Sequence, residues 1–139
     1  MEAKEVRGIR NNNPLNIEKG NNWQGERNHQ VDRRFEEFKS VEYGLRAGFV
    51  LLRNYLNESK RFRRTDNTIY KIIHRWAPSK ENNTDSYIKT VSHVTGINPH
   101  EVIRFSDRRK MVAIVRAMAF VECGSWLDPQ IVESAYDMV

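Results

Sequence analysis

Glu122 is the residue of this sequence best placed for acid–base chemistry. The segment Asp107–Glu122 carries Met111, Val115, Met118 and Ala119 at the three-and-four spacing of one buried helical face. Glu122 belongs to that face, four residues past Met118 and seven past Val115. Its carboxyl is therefore expected to project into or beside apolar surroundings. Desolvation there raises its pKa, and so does the negative end of the helix macrodipole just before Gly124. A carboxylic acid still protonated near pH 7 is what protonation of a glycosidic oxygen requires. The same spacing also suits a glutamate at a helix end that meets solvent or pairs with Arg116.

A conventional glycosidase needs a second carboxylate, roughly 5–5.5 Å from the first when retaining and roughly 6.5–9.5 Å when inverting. The N-terminal third offers Glu26, Asp32, Glu36 and Glu37. Asp32, just ahead of Phe35 and Phe38, is the choice as catalytic partner, against the plainer reading of a solvated loop carboxylate. A lytic transglycosylase dispenses with this group, because the substrate's own hydroxyl attacks. Thirteen asparagines, many of them clustered, supply neutral amides. Asn12, Asn13, Asn16 and Gln24 suit the hydroxyl and acetamido groups of a sugar polymer, which need donors and acceptors together. Trp23 and Trp76 offer flat apolar faces for sugar rings. The competing reading has the amides holding turns and the indoles filling the core.

Metal and cofactor chemistry find no support. His29, His74, His93 and His100 show no paired ligand spacing, and the single Cys123 has no partner for a disulfide or a zinc site. The run Arg61, Phe62, Arg63, Arg64 could touch phosphate but suits a solvated loop better, so nucleic acid is not the favoured partner.

These residues need elements to hold them. Residues 7–38 read as irregular or β, with a turn at Gly20-Asn21-Asn22 and a short returning strand at Arg34–Phe38. From Ser40 the period becomes helical, with Val41, Leu45, Phe49, Leu52 and Leu56 on one face. Asn57–Thr65 is a basic loop. Further helices are expected from Thr68 to before Pro78, from Thr84 to Gly96, from Asn98-Pro99, from Asp107 and from Asp128-Pro129.

The 139 residues make one ordinary domain, able to bury roughly two thirds of its unfolded surface. With 39% hydrophobic residues the chain is too rich in core formers to be disordered. The 23 basic against 18 acidic side chains leave a net charge of +5, which favours an anionic partner. No apolar run reaches the ~18 residues of a membrane span, and the first residues lack a secretory apolar stretch, so the product is expected to be made in the cytoplasm.

Longer motifs add a resemblance. Gly8-Ile9-Arg10-Asn11-Asn12-Asn13-Pro14-Leu15-Asn16-Ile17, Trp23-Gln24-Gly25 and Ser40-Val41-Glu42-Tyr43-Gly44-Leu45-Arg46-Ala47 resemble the virion structural protein P5-like family of phages and prophages. Arg75-Trp76-Ala77-Pro78, Glu81-Asn82-Asn83-Thr84, Tyr87-Ile88 and Thr95-Gly96-Ile97 fit the same family. Glu122-Cys123-Gly124-Ser125-Trp126 is similar to the E-S-G-W of peptidoglycan glucosaminidases and lysozyme-like transglycosylases. The other motifs of those enzymes lie ahead of it here, as in a circular permutation. Cys123 stands in place of the serine, and the enzymes' helper tyrosine would fall at Asn82-Asn83-Thr84-Asp85.

The resemblances imply one lysozyme-like domain over residues 1–139, mainly α (α+β), with a small N-terminal β lobe. They imply a phage-derived peptidoglycan hydrolase that cuts the β-1,4 glycan with Glu122 as general acid, Tyr87 helping to line the cleft. It would act at the cell wall or within the phage particle beside other virion proteins. A non-catalytic virion or wall-binding protein is the first alternative. A small basic nucleic-acid-binding domain is the second.

Overall fold

The helical periods of the sequence become helices in a computed structural model, which describes residues 6–56, 66–78 and 83–139. These are α1 (Arg7–Arg10), α2 (Val41–Leu56), α3 (Ile69–Trp76), α4 (Thr84–Thr95), α5 (Arg108–Cys123) and α6 (Pro129–Asp137). Their starts follow the side chains. Thr68 Oγ1 accepts the Lys71 N–H at 3.1 Å, Asn83 Oδ1 that of Ser86 at 3.1 Å, Asp107 Oδ1 that of Lys110 at 3.2 Å and Asp128 Oδ1 that of Gln130 at 2.9 Å. Pro129 then occupies the first turn of α6, where a missing N–H costs nothing.

The core forms around α5. Met111, Ile114, Val115, Ala117, Met118 and Ala119 are fully buried, and α4, α6, α2 and α1 pack against this helix. Helix α2 also lies along α6, and α3 along α4. The second half of the chain thus forms a helical body, and the N-terminal segment lies across α2. Gly44 and Gly48 make that approach possible: a Cβ would come within 2.0 Å of the Asn12 carbonyl oxygen at one and 2.1 Å of Leu15 Cδ1 at the other. Among the described residues no helix is long and apolar enough to cross a membrane.

Two expectations are corrected. Residues 11–38 form no β lobe: the described backbone has only two isolated antiparallel bridges, Glu18 with Phe35 and Glu26 with Phe38. Asparagine is the cause. Asn12 and Asn16 take left-handed backbone, φ 51° and 53°, which interrupts an extended strand. Side-chain amides then replace ladder hydrogen bonds: Asn13 Nδ2 donates to the carbonyls of Ile17 (2.9 Å) and Glu36 (3.0 Å), and its Oδ1 accepts the Ile17 N–H at 3.0 Å. The second correction is at Asn98-Pro99, where one capped turn forms and no helix follows. The Pro99 carbonyl accepts from Tyr70 N–H and the Ile103 N–H donates to the Asn67 carbonyl, so α3 and the residue before its cap claim this stretch. In its place α1 appears, a single turn not anticipated. The expected basic loop Asn57–Thr65, with Arg61, Arg63 and Arg64, lies outside the described residues.

Candidate functional site

Glu122 lies in the last turn of α5, before the helix closes at Gly124, whose N–H donates to the Phe120 carbonyl. Two other parts of the chain reach it. From α4, the Tyr87 hydroxyl donates to Glu122 Oε2 at 3.1 Å. From the N-terminal segment, Asn16 Nδ2 donates to the Glu122 carbonyl at 3.2 Å and stands 3.5 Å from Oε1. The left-handed turn at Asn16 aims the amide this way.

Burial is the largest influence on Glu122 and pushes its pKa above the usual carboxylate range, while hydrogen bonds from Tyr87, Asn16 and Trp76 pull it back. Tyr87, only 6% exposed, is raised well above an ordinary phenol by burial and by its closeness to Glu122. The phenol thus keeps its proton and serves as a fixed donor. Arg116 does not pair with Glu122: its Nε donates to the Leu127 carbonyl at 2.7 Å and its guanidinium lies 5.1 Å from the Trp126 ring centre.

Glu122 faces a cleft of about 610 Å³ between the N-terminal segment and the helical body. Asn16, Glu18, Arg34 and Phe35 line one wall, and Leu51, Tyr55, Trp76 and Pro78 the other. Trp76 meets Tyr55 edge to face, ring centres 6.2 Å apart, which fixes the indole. On its other side Glu122 borders a smaller hollow of about 260 Å³ with Asn83, Ser86, Tyr87 and Thr90. The arrangement sets a carboxyl, a phenol and an amide together beside the cleft, groups that can hydrogen-bond a neutral polar ligand.

Of the residues expected at the site, Glu122, Asn16, Trp76 and Tyr87 come together. Asp32 lies elsewhere. It accepts Arg7 Nε at 2.5 Å and Nη2 at 2.6 Å, Asn11 Nδ2 at 2.9 Å and the N–H groups of Arg34 and Phe35. These bonds hold its carboxyl well below the usual range, and it borders a separate cavity with Arg7, Arg10 and Arg33. Asn13 is wholly buried as the staple described above, and Asn12 Nδ2 donates to the Phe38 carbonyl at 3.2 Å. Trp23 packs against the core, and Gln24 is exposed away from both Glu122 cavities. Sequence reasoning missed Glu18, Arg34, Phe35 and Tyr55. The order Asn16-Ile17-Glu18, polar on each side of a buried Ile17, was a signal for Glu18. Among the described residues no group of three or more His, Cys, Asp or Glu could hold a metal ion.

The chain is thus a mainly helical protein whose central helix carries in its last turn a half-buried, hydrogen-bonded glutamate at a cleft. No family model matches it. It is 40% identical over 124 residues, 86% of this chain and 72% of the relative, to Protein P5 of Pseudoalteromonas phage PM2. The chain belongs to the family of that phage protein, as its N-terminal and central motifs suggested.

Proposed function

We propose that the protein is a component of a phage particle and that its Glu122 cleft takes the glycan of the bacterial cell wall. The first half rests on the kinship with a phage protein over most of the chain. The second half rests on one observation, a carboxyl whose pKa burial raises, held by Tyr87 and Asn16 at an open cleft. In this reading a sugar ring lies against Trp76, and amide groups such as Asn16 meet its polar substituents. The Glu122 proton passes to the glycosidic oxygen, making the leaving sugar a neutral alcohol. The net charge of +5 suits a wall rich in anionic groups.

The kinship by itself also suits a second reading, a non-catalytic virion or wall-binding protein. There the contacts of Tyr87 and Asn16 with Glu122 are a tie joining α4, α5 and the N-terminal segment. Purified protein embedded in a gel with peptidoglycan sacculi distinguishes the two. Clearing by wild type that is lost in Glu122→Gln supports the acid role, and clearing that survives Glu122→Gln refutes it. Co-sedimentation with sacculi without clearing supports the binder.

A further inference from the structure

We infer that Glu18 is the second carboxylate of the Glu122 cleft, the base that draws a proton from an attacking water; this inference rests on the glycan-cleaving reading above. Glu18 and Glu122 are the two carboxylates that line the 610 Å³ cleft among the described residues. They come from different elements: Glu122 lies in the last turn of α5, and Glu18 on the N-terminal segment. Asn16, 3.5 Å from Glu122 Oε1, is two residues from Glu18, and Ile17 between them turns into the core. The N-terminal segment that reaches Glu122 through Asn16 thus brings Glu18 to the same cleft two residues further on.

The local structure fixes Glu18 in this place. It bridges to Phe35, closed by the Lys19 N–H to the Arg34 carbonyl at 2.9 Å and the Glu36 N–H to the Ile17 carbonyl at 3.0 Å. Arg34 donates Nε and Nη2 to the same carboxylate oxygen, Glu18 Oε1, at 3.0 and 2.9 Å. Its guanidinium lies 4.9 Å from the centre of the Phe35 ring. Arg34 therefore works as a positioning residue, holding one oxygen of Glu18 and leaving Oε2 for a water. The role expected of Asp32 is closed to it, because its oxygens are taken up by Arg7, Asn11 and backbone N–H groups.

The step balances as a hydrolysis. The Glu122 proton moves to the glycosidic oxygen as the bond from that oxygen to the anomeric carbon breaks, its electron pair going to the leaving oxygen. The water oxygen bonds to the anomeric carbon, and its proton goes to Glu18. Glu122 is left as a carboxylate and Glu18 as an acid, and proton exchange with solvent restores both.

The test is digestion of purified sacculi by wild type, Glu18→Gln and Arg34→Gln, with product masses and initial rates. Wild type is expected to release hydrated reducing ends, one water heavier than anhydro ends. Glu18→Gln is expected to lose ~10²-fold or more in kcat with little change in KM, and Arg34→Gln to lose less. Glu18 is exposed, so an unchanged thermal midpoint checks that the variant folds. Anhydro ends from wild type, or a Glu18→Gln rate equal to wild type, overturn the inference and leave the Glu122 reading standing. An inactive wild type overturns both, and so does clearing untouched by Glu122→Gln, because the step takes its proton from Glu122.

Discussion

Glu36→Gln is expected to stabilise the protein at pH 8 and leave it nearly unchanged near pH 4.5. The Glu36 side chain is buried, the residue only 3% exposed, and it lies beside the carboxyl of Glu26. Burial first, then the hydrogen bond and charge of Glu26, raise its pKa to about 7 from 4.5, against the smaller opposing effects of Lys19 and the Gly20 N–H. A raised acid pKa means that the folded chain keeps a proton which the unfolded chain has lost. Stability therefore falls as pH rises from about 4.5 to about 7 and is level beyond, where both states are ionised. The interval of about 2.5 pKa units corresponds to about 3 kcal/mol at 1.36 kcal/mol per unit. In a chain of this length that is a shift of about 10 °C in Tm. Glutamine cannot ionise, and its amide can still donate to Glu26 as the protonated acid does. Thermal melts of both proteins from pH 4 to 8.5 give the check: the difference in Tm should be close to zero at the acid end and grow to its full value by pH 8. Parallel curves across that range would refute the buried-acid argument, whatever their separation.

Two further outcomes follow from single contacts. Asn13→Ala removes the partners of the Ile17 N–H and the Glu36 carbonyl in a wholly buried site, and should cost about 3 kcal/mol in urea unfolding; a loss under about 1 kcal/mol would show that the segment reorganises around another donor. Tyr87→Phe removes a hydrogen bond that favours the Glu122 carboxylate, so the Glu122 titration midpoint, followed by carbon NMR of the labelled carboxyl, should move upward; no movement, or a downward one, would contradict the geometry at Oε2.

The helical half was legible because its signals are local. Val41 through Leu56 and Met111 through Ala119 repeat at the helical period, and Thr68, Asp107 and Asp128 announce their helices by capping the next turn. The N-terminal third was not, because there the hydrogen bonds run through side chains. A strand pattern counts apolar and polar positions. It cannot register that Asn13 will take the bonds a neighbouring strand would, or that Asn12 and Asn16 will turn left-handed. The turn at Asn98-Pro99 failed for a related reason: the capping signal was real, since Asn98 Oδ1 accepts the His100 N–H at 2.8 Å, but the next backbone groups bond to Tyr70 and Asn67.

The site divides in the same way. Glu122 could be placed from spacing because its environment is set by its own helix face. Choosing its partners needed the fold, since Tyr87 stands 35 positions away and Asn16 stands 106. The placement of Asp32, away from Glu122, has a physical cause. A carboxylate before an aromatic strand looks available in sequence, yet Arg7 and Arg10 lie 25 and 22 positions upstream and fold back over it. The Asp32 carboxylate pins α1 to the 32–35 turn, and Asn13 ties Ile17 to Glu36 within the same segment. The N-terminal wall of the cleft is thereby held without a sheet. Much of the asparagine cluster is thus scaffold, with Asn11 bonded to Asp32, Asn12 to Phe38 and Asn13 to Ile17 and Glu36. Asn16 is the member of that cluster released to face Glu122, because it stands where the scaffold meets the end of α5.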